Sequence, residues 1–417
     1  MTNISKGASI AITNVTAVLP YSLVENATVV VEDGIITSIV SGGHAPVAAI
    51  NGNGALCIPG IVDSHSDGLE KEIMPRPNAP LPIDFALRSY EGRVRAAGVT
   101  TIFHGIGFEN DSKYGRTIKL ANGLCDAIQL HMTGKNSLVD HRILYRLDAR
   151  DADGFDALQA RFALDGTLQS GMDKETGMSQ KSSATPLVSF EDHTPGQGQY
   201  TDRTSLEVYI AGNRKVSAEE ARVIVDQTII ERDALLHNRG RALPLLTQQS
   251  QQHAIRLLAH DPATLDDVNE ALEWHASIAE FPTTLVAAQA AHDAGLRTVC
   301  GAPNVLRGKS HSGNVSAQDL IRLGLCDGLA SDYLPTTLLG AVGVLVADGV
   351  CSIPEAIRLI TMGPADTVGL VDRGRLEIGA RGDLALVQLH GRLPVVLGVF
   401  RSTSQSAEHI GLVGASQ

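Results

Sequence analysis

An alternation of strand-like and helix-like sequence restricts this chain most. Eight short apolar runs, most of them ending in polar residues, occupy 61–65, 99–104, 142–148, 187–193, 255–260, 277–281, 298–302 and 328–332. Segments of helical periodicity, such as 83–97, lie between most of them, and another follows at 354–360. Strands that alternate with helices form parallel sheets, because each helix carries the chain back to the same sheet edge. Eight such units predict a (β/α)8 barrel.

The two ends of the chain read differently. The first ~55 residues are β-rich, with runs at 8–19, 27–31 and 35–40. The last two runs meet through Glu32-Asp33-Gly34, and Asp33-Gly34 is a strong hairpin signal. Near the other terminus, runs at 383–389 and 395–400 flank His390-Gly391-Arg392. Neither end is long enough to bury a core alone. The expected fold is therefore α/β: a TIM barrel over 58–369, with a small β-sandwich built from 1–57 and 370–417. A chain of 417 residues suits one barrel of ~250 residues with one added module.

Several barrel runs end in histidine or aspartate. The first ends Val62-Asp63-Ser64-His65-Ser66-Asp67, the third at Asp148, the fourth at Asp192-His193, the fifth at His260-Asp261 and the eighth at Ser331-Asp332. The C-terminal ends of barrel strands converge on one face, where active sites sit. Imidazole and carboxylate together suit a divalent ion such as zinc, manganese or iron. His65 and Asp67 are two apart, so a strand turns both to one side. Glu280, in Ala279-Glu280-Phe281-Pro282, looks buried and so needs a partner.

Charge and cysteine usage narrow the setting. Lys+Arg number 34 and Asp+Glu 46, a formal charge of −12. That disfavours nucleic acid or an anionic membrane as a broad surface ligand. It does not exclude a small polyanion, whose binding depends on local charge. The five cysteines include no C-x-x-C pair, and no secretory signal pattern opens the chain, which points to the cytoplasm. The apolar stretch 338–346 is too short to span a bilayer and is expected to be a buried helix.

The stretch Cys57-Ile58-Pro59-Gly60-Ile61-Val62-Asp63-Ser64-His65 resembles the first-strand motif of the amidohydrolase superfamily. Further blocks resemble its PhnM family: Asp67-Gly68-Leu69-Glu70-Lys71, Pro75-Arg76-Pro77, Asp192-His193-Thr194-Pro195-Gly196-Gln197, Ala279-Glu280-Phe281-Pro282-Thr283-Thr284, Gly301-Ala302-Pro303-Asn304, Ser310-His311-Ser312-Gly313-Asn314 and Ser331-Asp332-Tyr333. The resemblance spans roughly 55–385. It implies a metal-dependent hydrolase barrel that cleaves α-D-ribose 1-methylphosphonate 5-triphosphate to the 5-phosphate and diphosphate. It places metal ligands on His65, Asp67, His193, His260 and Asp332, and on Asp148 where the family usually has glutamate. The expected cofactor is one or two divalent ions, zinc first, with manganese or iron as alternatives and magnesium accompanying the triphosphate.

Under this reading Asp332 orients a water and accepts its proton. Lys71, Arg76, Arg307 and Lys309 are the cations expected to meet the phosphates, with Ser310, His311 and Ser312 in the same loop and Gln197 near the ribose. His311 could protonate the leaving group, and His104 is a further candidate. The expected partner is a small phosphorylated sugar, with a homodimer as the expected assembly. The rival expectation is a hydrolase of C–N bonds, a deacylase or cyclic-amide hydrolase, since metal-activated water serves both reactions.

Overall fold

The computed structural model describes residues 2–4, 9–42, 49–76, 79–111, 115–134, 136–165, 185–198, 203–308 and 314–402. Each of the eight apolar runs lies on a parallel strand: Ile61–Ser66, Val99–Phe108, Asp140–Asp148, Leu187–Glu191, Arg256–His260, Ile278–Glu280, Arg297–Gly301 and Gly328–Ala330. They pair in sequence order in one sheet. The sheet closes into a barrel where Ser66 bridges Asp332. Asp67 N–H donates to the Asp332 carbonyl, and Asp332 N–H to the His65 carbonyl. The closing bonds thus run through candidate site residues themselves.

Period-two alternation explains the interior. Each strand sends one apolar side chain into a shared inner cluster: Val62, Phe103, Leu144, Leu187, Leu258, Ile278, Val299 and Ala330. Below the strand ends this layer is a packed core, and the polar strand-end residues gather on the rim above it. His104 follows Phe103 and therefore points outward. It meets His141 at 2.8 Å between ring nitrogens, and so does not enter the site. On that outer side Glu91 Oε1 accepts from His131, His141 and the backbone N–H of Leu138 and Val139.

Both chain ends build one mixed sheet. Leu384–His390 pairs antiparallel with Leu56–Pro59 and with Leu393–Ser402, and Leu56–Pro59 pairs parallel with Ser9–Val18. Leu23–Glu32 and Ile35–Ser41 form the expected hairpin, with Asp33 at φ 52° and Gly34 at φ 79°. Positive φ at both turn positions matches the right-handed twist of the strands. A separate core of Ile12, Val15, Val29, Val31, Ile36, Cys57, Leu384 and Phe400 fills this sheet. Buried Arg95 ties sheet to barrel, donating to the carbonyls of Leu138 (2.5 Å) and Val399 (2.8 Å).

The helix at 338–346 is present as Thr336–Ala347 and is mostly buried. Among the described residues no helix is long and apolar enough to cross a membrane. Three helices, Arg203–Arg214, Ala218–Ala234 and Leu236–Gln251, fill the stretch between the fourth and fifth barrel strands.

Candidate active site

The site is built around one buried carboxylate. Glu280, on the sixth strand, accepts from His65 Nδ1 at 2.8 Å and His260 Nδ1 at 2.9 Å, one ring on each oxygen. Each ring thereby presents Nε2 outward, the arrangement a carboxylate imposes on metal-binding histidines. Burial alone would raise the Glu280 pKa; the two histidines outweigh it and hold it at about 2. The partner expected for a buried acid is thus a pair of imidazoles. For His65, burial would lower the pKa, but the charges of Glu280 and Asp67 carry it well above the ordinary histidine value.

Around this pair stand the other strand-end groups. Asp67 Oδ1 lies 3.3 Å from His65 Nε2 and is buried without a hydrogen-bond partner. Asp261 Oδ2 is 3.6 Å from His260 Nε2 and likewise unpartnered. A buried carboxylate oxygen with no donor is costly unless a cation completes it. His193 stands edge-on to His260 with ring centroids 5.4 Å apart, and Glu191, His193 and His260 offer ligand atoms within 4.8 Å of one another. His65, Asp67, His193, His260 and Asp332 all line one cleft. The donor set, imidazole nitrogens beside unpartnered carboxylate oxygens, fits a divalent ion.

Backbone strain marks the same rim. Asp261, Phe281 and Asp332, at the ends of the fifth, sixth and eighth strands, have φ of 52°, 55° and 62°. Left-handed non-glycine residues cost about 1–3 kcal/mol each and gather at functional sites. Burial and the Asp67 charge push the Asp332 carboxyl up to about 6.

Not every expected residue arrives. Asp148 is held by Arg232 through both oxygens, at 2.7 and 3.0 Å, and accepts from the Arg150 N–H as well. Its lone pairs are committed, and the cleft does not include it. Sharing that network, Gln197 with its amide oxygen turned to Arg150 Nη2 (3.2 Å) donates to Asp192 (3.3 Å), away from the cleft. Arg76 is exposed beyond the helix Gly68–Ile73 and does not line the cleft. Lys309, Ser310, His311 and Ser312 lie outside the described residues. Arg307 does line the cleft and donates to the Tyr333 hydroxyl at 2.9 Å, while the Lys71 ammonium sits 3.9 Å over the Tyr333 ring. Tyr333 thus gathers two cations beside Asp332.

Two residues were not foreseen. Arg146, on the third strand, donates to Asp67 Oδ2 at 2.6 Å and to both oxygens of Glu191 at 2.7 and 2.9 Å. Glu191 ends the fourth strand two residues before His193, the same spacing that singles out His65 and Asp67.

Fold and rim together define a (β/α)8 barrel whose strand-end donor set fits a divalent ion. Solved structures share the architecture: molinate hydrolase aligns at a TM-score of 0.57 with 15% identity, covering 95% of this chain and 94% of its own. N-acetylglucosamine-6-phosphate deacetylase from Pasteurella multocida aligns at 0.53 with 14% identity, covering 94% and 98%. No protein-family profile matches the chain. The α-D-ribose 1-methylphosphonate 5-triphosphate diphosphatase of Escherichia coli (strain K12) is 30% identical over 378 residues, 90% of this chain and 94% of that protein. The chain belongs to the family of that diphosphatase.

Proposed function

We propose that the protein hydrolyses α-D-ribose 1-methylphosphonate 5-triphosphate to the 5-phosphate and diphosphate, consuming one water. The observation that carries this reading is the pairing at the rim. A donor set for a divalent ion lies beside two cations, Arg307 and Lys71, held on Tyr333. Anhydride cleavage concentrates negative charge on the departing oxygens, and fixed cations are what such a reaction needs. The activity named for the Escherichia coli relative supports the same substrate.

His65, Asp67, His193 and His260 would hold the ion, with Asp332 beside them. When bound, a divalent ion supplies Lewis acidity and brings water toward its deprotonated form at neutral pH. Asp332 accepts the proton of the attacking water. The water oxygen adds at a phosphorus of the α,β-anhydride and the P–O bond to the bridging oxygen breaks, giving the 5-phosphate and diphosphate. Arg307 and Lys71 receive the charge that develops on it.

The test is a diphosphate assay on the ribose triphosphate with zinc, manganese or magnesium supplied. Asp332→Asn is expected to abolish turnover while metal content persists. Full activity in Asp332→Asn removes the proton-acceptor assignment. Release of ammonia or a carboxylate from amide substrates, with no diphosphate formed, replaces the reading with C–N hydrolysis.

A further inference from the structure

We propose that Glu91, His131 and His141 form a metal site remote from the cleft, where one zinc ion clamps two helices to the third barrel strand. The three residues come from three elements. Glu91 lies on the helix Ile83–Ala96, His131 in the last turn of the helix Ile118–Thr133, and His141 at the start of the strand Asp140–Asp148. His141 and Asp148 stand at opposite ends of that strand, ~23 Å apart at ~3.3 Å per residue. The cluster is therefore well away from the rim, toward the end of a barrel where residues serve stability.

The donor atoms are already gathered. His131 Nε2 and His141 Nε2 each lie 3.1 Å from Glu91 Oε1, and one ligand atom from each of the three residues falls within 4.8 Å of the others. Ligand atoms around a tetrahedral zinc, with bonds of ~2.0 Å, stand ~3.3 Å apart. Glu91 Oε1 is also crowded. It faces both rings and the backbone N–H groups of Leu138 (2.6 Å) and Val139 (3.2 Å), four donors for about two lone-pair sites. One ion bound by both rings replaces two of those donors with a single contact.

Orientation and access are both provided. A ligating imidazole keeps its other N–H on an acceptor, which fixes the ring. His141 Nδ1 stands 2.8 Å from His104 Nε2, and the two rings stack with centroids 5.1 Å apart. With Nε2 on the ion, His141 donates Nδ1–H to His104. Access comes through a cavity of about 190 Å³ lined by His131, Ser137, Leu87 and Leu130. Leu130 is exposed, so this cavity opens at the surface. It has room for a water as fourth ligand beside the three protein donors.

The test first removes the histidines of the cleft. The full-length double variant His65→Ala/His260→Ala is stripped with a chelator, titrated with zinc and desalted, and bound metal is measured by mass spectrometry. One equivalent is expected. Adding His131→Gln is expected to abolish it while circular dichroism stays unchanged. No zinc in the double variant, or a full equivalent retained after His131→Gln, overturns the proposal. Wild-type crystals soaked in zinc give a reading that needs no substitution. Anomalous density at the zinc edge is expected between His131 and Glu91, apart from any at the strand ends. Absence of density at His131 overturns the site.

Discussion

At the scale of single residues, the site depends on side chains that would touch no substrate. Glu280 accepts from His65 and His260 together, so one substitution perturbs two candidate ligands. Glu280→Gln places an amide N–H₂ against a ring N–H on one side. Zinc affinity is expected to fall about 10–100-fold, as for other outer partners of ligating histidines. Competition against a chromophoric chelator measures it, and unchanged affinity would show that packing alone orients the rings. The strand-end pattern made His65, Asp67, His193, His260 and Asp332 legible in the sequence, because strand ends in a barrel share one rim. Asp148 has the same pattern yet is claimed by Arg232, a residue 84 positions away on an inserted helix. No local spacing reports a neighbour that distant. Arg146 is illegible for a related reason: it lies on a strand between two carboxylates that only the folded barrel brings together. Glu191 carried a readable signal, its two-residue offset from His193.

At the scale of elements, the clearest device outside the site is the junction of the helices Ile83–Ala96 and Ile118–Thr133 with the third barrel strand. Glu91 Oε1 gathers His131, His141 and two backbone N–H groups there. Burial by itself would raise the Glu91 pKa. The hydrogen bonds from His131 and His141 outweigh burial and hold it well below the usual carboxylate range. A carboxylate whose pKa is lower folded than unfolded adds stability above its unfolded value, near ~4.3, and loses it as pH falls toward the folded one. Acid unfolding of the wild type should therefore steepen below about pH 4. Glu91→Gln should be less stable at pH 7 and should lose that part of the acid dependence. Denaturant midpoints across pH check this, and parallel curves for the two proteins would count against it. The strands themselves were readable from apolar runs bounded by polar residues. The three-helix insertion was not, since its small core of Leu206, Ile210, Ala221 and Val225 forms only once the helices pair.

At the scale of the whole molecule, a barrel interrupts a sheet that needs both chain ends. The pairing of Leu56–Pro59 with Leu384–His390 was inferable because neither end could close a core alone. Its registration against the barrel was not, because it rests on single buried contacts such as Arg95 to the carbonyls of Leu138 and Val399. Arg95→Ala leaves both acceptors without their charged donor and opens a cavity. The expected loss is about 3 kcal/mol of stability, read from the denaturant midpoint. An unchanged midpoint would mean that Arg95 does not hold the sheet against the barrel. Stoichiometric analysis of products from the purified, metal-loaded protein tests most directly whether this rim turns over the ribose triphosphate. One diphosphate is expected for each 5-phosphate formed, lost on chelation and restored by a divalent ion. Release of single phosphate, or an intact triphosphate in the presence of bound metal, would contradict it.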